Sequence, residues 1–157
     1  MCSKASRPHA AIQLPSVLFW VISIALLLWG FGGASIYIAY FIETPEEFAQ
    51  TAETAANRQA YADYVASIPF WAIAVGIIAA VARLLGAIGL LLRRAWALPL
   101  YIISVVFFLG ALYRAFVLAN VSSVMSGAHI SIELVFLALG IFAVWFAREN
   151  KSKGILK

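Results

Sequence analysis

Four apolar stretches, at about 16–42, 69–92, 96–119 and 130–147, occupy most of this chain, and their length limits what it can become. A helix rises 1.5 Å per residue, so about 20 apolar residues cross a hydrocarbon core ~30 Å thick. Inside that core every backbone N–H and C=O must find its partner within the protein, which leaves helices or a closed barrel. Runs of this length without period-two alternation are helical. A chain that is 64% hydrophobic and 11% charged, with mean hydropathy +0.97, also lies outside the soluble globular range. The expected fold is an all-α integral membrane four-helix bundle, one domain over 157 residues.

The charges orient it. Of 11 Lys and Arg residues, eight flank the apolar runs at three places: Lys4 and Arg7 in the N-terminal arm, Arg93 and Arg94 in the second connection, and Arg148, Lys151, Lys153 and Lys157 in the tail. The connection 43–67 instead holds Glu43, Glu46, Glu47, Glu53 and Asp63 against the single Arg58. Positive residues are retained on the cytoplasmic side, so both termini are expected there, with 43–67 outside. Trp20, Trp96 and Trp145 then fall at the inner interface, Tyr37, Tyr40 and Trp71 at the outer one. The pI near 9.5 follows from the same flanking residues and calls for no nucleic-acid partner. The first run, at about 26 residues, exceeds the usual h-region of a signal peptide and is expected to remain as a span. The lone Cys2 excludes an intrachain disulfide or a Cys-x-x-Cys redox pair.

The outer connection carries its own structure. Thr44-Pro45-Glu46-Glu47 has the pattern of a capped helix start, with Thr as N-cap, Pro at the first position and Glu at the third, and predicts a helix from Pro45 toward Tyr64. Ser67 offers an N-cap to the second span, and Pro99 falls within the first turn of the third.

Three ionisable residues lie inside the spans, where charge is costly enough to signal function. Arg114 is 18 residues from Trp96 and Glu133 is 14 from Ala147, which puts both in the outer third of neighbouring antiparallel helices, about 6 Å apart in depth. An Arg114–Glu133 ion pair is expected, with Tyr113 or His129 adding hydrogen bonds, either pinning two helices or forming a ligand or proton site, unless the side chains snorkel to the interface. Arg83 lies ten residues from Arg93, about 15 Å along the helix, near mid-membrane with no acid at its depth. Its partners are then hydroxyls of Tyr101 or Ser104, carbonyls near Gly30 and Gly32-Gly33, water, lipid phosphate or another subunit, unless it snorkels to the interface. Small residues share its helix face, and the sets Gly30/Ala34, Ala72/Gly76/Ala80 and Ala82/Gly86 allow close helix approach. His129 stands without the further ligands that a metal needs, no nucleophile set or phosphate loop is present, and Trp29, Phe107, Phe108 and Phe116 read as packing or lipid-facing aromatics. No catalytic residue, metal or cofactor is called for.

The strings Phe19-Trp20-Val21-Ile22-Ser23, Leu27-Leu28-Trp29, Pro69-Phe70-Trp71, Leu90 to Leu100 around Arg93-Arg94-Ala95-Trp96, and Val144-Trp145-Phe146-Ala147-Arg148 resemble a group of small bacterial four-span inner-membrane proteins of unestablished activity, some labelled sugar transporters. Gly30 stands where the group has Asn, and Arg83 where it has an apolar or small residue. The resemblance implies a multi-pass protein of the bacterial inner membrane and assigns no site residue. Two functions remain: a structural or accessory component that binds a second copy or another membrane protein through its tight faces, and a small oligomeric transporter, or transporter subunit, for a polar solute. Without an internal repeat the second lacks the usual carrier signature. An enzyme ranks third.

Overall fold

The computed structural model describes residues 15–51, 58–125 and 127–157. The N-terminal arm with Cys2, Lys4 and Arg7 lies outside them. The elements are α1 (Val17–Ile42), α2 (Pro45–Thr51), α3 (Arg58–Ala66), α4 (Phe70–Leu91), α5 (Ala97–Tyr113), a π-helical turn (Arg114–Leu118), a 3₁₀ turn (Val121–Ser123) and α6 (Gly127–Ser152). Four of these helices, α1, α4, α5 with its π turn, and α6, are long and apolar enough to cross a membrane. The architecture is the expected all-α four-helix bundle.

Local chemistry sets the ends. Ser16 caps α1 by accepting from the Phe19 N–H (3.3 Å). Thr44 and Glu47 form a reciprocal box at α2: the Glu47 N–H donates to Thr44 Oγ1 (3.3 Å), and the Thr44 N–H donates to Glu47 Oε2 (2.9 Å). Those bonds hold the exposed Glu47 carboxyl below its ordinary range. Ser67 does not cap α4. Its hydroxyl donates to the Tyr64 carbonyl (2.7 Å) and so closes α3, while Pro69 takes the capping position of α4 without a side-chain bond. The expected helix from Pro45 toward Tyr64 is present as α2 and α3, and 52–57 between them lies outside the described residues.

The helices form a ring in which α4 packs on both α1 and α5, and α5 on α6. Aromatic rings bridge α1 to α6: Phe19 stacks on Phe146 (5.8 Å between centroids), and ten residues further on Trp29 meets Phe136, ten residues back (6.0 Å), so the two helices run antiparallel. The core divides in two. At the end that holds the α4–α5 turn, Phe19, Leu26, Leu90, Tyr101, Phe146 and neighbouring alanines interlock. At the other end, Ala49, Tyr61, Ala62 and Val65 of α2 and α3 pack on Val121 and Met125, so the outer connection is a folded cap on the bundle.

Helix α6 continues past the expected end near 147. Arg148, Glu149, Asn150 and Lys151 remain helical, with Lys153 paired to Glu149 one turn back (3.1 Å), because a helix need not stop where its apolar run does. The chain then turns at Gly154 and folds back. The Lys157 N–H donates to the Arg93 carbonyl (2.8 Å), the Ala95 N–H donates to a Lys157 main-chain oxygen (2.8 Å), and Arg93 Nε donates to the Ile155 carbonyl (3.3 Å). Ile155 and Leu156 are 6% and 4% exposed within the core. Arg93 itself has φ 55°, the left-handed conformation that ends a helix, with the Arg94 N–H donating to the Gly89 carbonyl (2.8 Å). The tail therefore clasps the α4–α5 turn. Leu156→Ala is expected to cost about 2 kcal/mol or more through the lost burial and the cavity left behind, read as a lowered unfolding temperature in detergent; an unchanged midpoint would show that the clasp adds nothing.

Candidate functional site

Above the interlocked core the ring of helices opens around a cavity of ≈ 550 Å³. Its wall includes Tyr37 of α1, Glu43 at the C-cap of α1, Tyr64 of α3, Arg83 of α4, Arg114 of the π turn and Glu133 of α6. All three intramembrane charges singled out in the sequence thus line one space.

Arg83 sits deepest and is 5% exposed. Its guanidinium carbon lies 4.2 Å from the centre of the Trp29 ring, 5.4 Å from that of Phe108 and 5.9 Å from that of Phe136. A desolvated cation over such faces gains about 2 kcal/mol, comparable to the roughly 3 kcal/mol that insertion scales charge for a mid-span Arg. Of the aromatics read as packing or lipid-facing, Trp29 and Phe108 lie against this cation, joined by Phe136. Arg83 Nε remains buried without a hydrogen-bond partner, as do Trp29 Nε1, Tyr101 Oη and Glu43 Oε2. Of the hydroxyls that the sequence suggested for Arg83, Tyr101 is electrostatically coupled to it without a hydrogen bond, and no hydrogen bond joins Ser104 to it.

Small residues make room for these groups. A side chain at Gly33 would meet the Arg83 guanidinium, its Cβ coming within 2.9 Å of Nη1, and one at Gly76 would collide with the Tyr37 phenol. Tyr37 therefore points into the bundle and lines the cavity. Only at Gly30, whose added Cβ would lie 3.4 Å from the Leu84 Cα, does a glycine admit another helix backbone in the way expected of the whole set.

The expected Arg114–Glu133 pair is not formed. Arg114, 8% exposed at the start of the π turn, donates to Tyr64 Oη (2.8 Å) and lies 5.1 Å from the centre of that ring. The wider π turn redirects the side chain toward α3. Among the described residues Arg83 is a cation coupled electrostatically to Glu133. Counting axial depth from Cα positions missed this because side chains lean toward their helix N-terminus. On α4 that lean carries the Arg83 guanidinium toward the end of the bundle where α6 begins and Glu133 lies in its second turn. Tyr113 is 58% exposed on the outer surface and takes no part. The His129 backbone lies in the first turn of α6, and its side chain is outside the described residues. Among the described residues no group of three or more His, Cys, Asp or Glu side chains could hold a metal.

Burial raises the Tyr64 phenol above its ordinary 10.0, and Arg114 pulls it the other way. A raised value favours the neutral phenol in the folded state, so its stabilisation is complete below pH ~10 and fades as pH climbs through the folded value. Tyr64→Phe should flatten that alkaline part of a stability-against-pH curve. At neutral pH, losing the acceptor should cost about 1–3 kcal/mol, since it strands a buried guanidinium N–H. A Tyr64→Phe, Arg114→Gln cycle with additive losses would show that the two do not act together. Compared with known protein families, characterised proteins and solved structures, the chain matches none, so the chemistry of these side chains is the ground for its function.

Proposed function

We propose that this protein binds a small polar ligand inside the membrane, as a ligand-binding subunit that works in the passage of that ligand. The observation that carries this reading is Arg83: a residue 5% exposed, its Nε–H without a hydrogen-bond partner, in the lining of a cavity of ≈ 550 Å³ in an otherwise apolar bundle. Ligand pockets of this size, mostly apolar with a few convergent polar groups, suit molecules of metabolite size. A purely structural or accessory role leaves the donor and the space around it without use. The lining holds both signs of charge, Arg83 and Arg114 against Glu43 and Glu133, which favours a ligand offering donors and acceptors over a bare anion.

In this reading the protein belongs to the bacterial inner membrane, as the resemblance of its span motifs implies, and both termini lie in the cytoplasm. Arg93, Arg94 and the basic tail meet at one end of the bundle and the acidic connection caps the other, the asymmetry that positive-inside retention requires. The cavity then belongs to the outer half.

The binding test is extraction. Protein purified in native lipid and then denatured should release a polar compound that the Arg83→Gln variant releases at one-tenth or less; identical extracts from both would remove Arg83 from any ligand site. Orientation is tested apart from it. A reporter active only outside the cytoplasm should be active at Ala55 and silent after Lys157, and the reverse pattern would overturn the assignment.

A further inference from the structure

The four seams of the ring differ. Those of α1 with α4, α4 with α5 and α5 with α6 are closely packed, whereas α1 and α6 approach each other mainly through the ring pairs Phe19–Phe146 and Trp29–Phe136. Both pairs lie at or below the level of Arg83. Beyond them, toward the cap, Ile36 of α1 and Ile132 of α6 belong to the cavity lining and are nevertheless 46% and 44% exposed. A residue that is both wall and outer surface marks an opening, and this one faces sideways. Both helices are apolar spans and both residues fall within them, so the opening faces lipid near the outer end of the membrane-crossing stretches.

Resting on the binding reading above, we infer that the ligand is an amphiphile taken from the surrounding leaflet, its zwitterionic head held between Arg83 and Glu133 and its apolar chain leaving through the α1–α6 seam. Three observations converge. Arg83 lines the cavity as a cation whose Nε–H has no hydrogen-bond partner, which suits an oxyanion such as phosphate. Glu133 lines the same cavity and is electrostatically coupled to Arg83, so a lone anion would meet repulsion there, whereas an amine beside the oxyanion is attracted. Among the described residues the cap packs over the end above, with Tyr61 and Val65 6% and 8% exposed against Val121 and Met125, and the seam offers an acyl chain a route beside lipid. A free solute of the same head chemistry shares the charges but gains nothing from the seam.

The experiment uses the full chain in detergent, with retained ligand read by native mass spectrometry. Its probes are oleoyl lysophosphatidylethanolamine, the free headgroup O-phosphoethanolamine, and oleoyl lysophosphatidylglycerol, which has the phosphate without the amine. The first is expected to bind at least about tenfold more tightly than either of the others. Arg83→Gln and Glu133→Gln should each weaken it about tenfold or more, and Ile132→Trp, which fills the opening from a surface position, should do the same while keeping the unfolding temperature of the parent. Ile36→Trp provides a second block if the first alters folding. Free phosphoethanolamine binding as tightly, with the seam variants indifferent, would overturn the amphiphile and leave the polar-ligand reading standing. Equal binding of the phosphatidylglycerol analogue with no effect of Glu133→Gln would overturn the zwitterionic head. Arg83-independent binding of every probe, or binding of none, would overturn the inference; the extraction experiment then decides separately whether the polar-ligand reading survives.

Discussion

A single guanidinium in an apolar bundle sets most of the demands on this structure. Arg83 cannot be neutralised by losing its proton, and it lies too deep to reach an interface along its own helix. The fold meets it with rings: Trp29 from α1, Phe108 from α5 and Phe136 from α6 converge on a residue of α4, so that all four spans contribute to one solvation shell. This arrangement explains why Gly33 is small and why α1 and α6 are joined at the Trp29–Phe136 level. It also keeps the interior above that level from collapsing, because apolar side chains packed there would leave the charge without polar surroundings.

The division into two cores follows from the same constraint. Below Arg83 the side chains are mostly apolar, Ser23 returns its hydroxyl to the Phe19 carbonyl (2.8 Å), the Tyr101 hydroxyl is buried without a partner, and the packing is tight. Above it the helices hold Tyr37, Arg114 and Glu133 apart around an open volume, and a separate small cap of α2, α3 and the 3₁₀ turn supplies the burial that the spans do not. The π turn joins the two regimes. It lets α5 leave its regular path at Arg114, so that one charge is directed to the cap and does not compete with Arg83 for Glu133.

The spans were legible because hydrophobic runs of membrane length have few other solutions, and the box at Thr44 and Glu47 was legible because both partners are local in sequence. The site was legible only in its members. Arg83, Arg114 and Glu133 stand out as charges in apolar runs, but their pairing depends on side-chain lean and on a π turn, and neither leaves a period in the sequence. Trp29 and Phe108 carried a usable signal: they lie at about the depth of Arg83, and an aromatic at the depth of an unpaired cation is a better partner than lipid. The clasp of the tail was hidden for another reason. Ile155 and Leu156 are two apolar residues among lysines, too short a run to register as a buried element, and only the fold-back at Gly154 brings them to the core.

The unequal packing of the two ends gives the bundle the mechanics of tweezers. At the tail end Ala87, Leu90, Ala97, Ala143 and Ala147 are fully enclosed and the clasp ties the α4–α5 turn to α6, so the helices share a rigid base. At the opposite end α1 and α6 flank an open seam and are free to splay about that base. Closing them around an occupant would cost conformational entropy while adding contacts. Slow amide exchange at the base with faster exchange along 33–42 and 130–136 is the motion that such a construction produces.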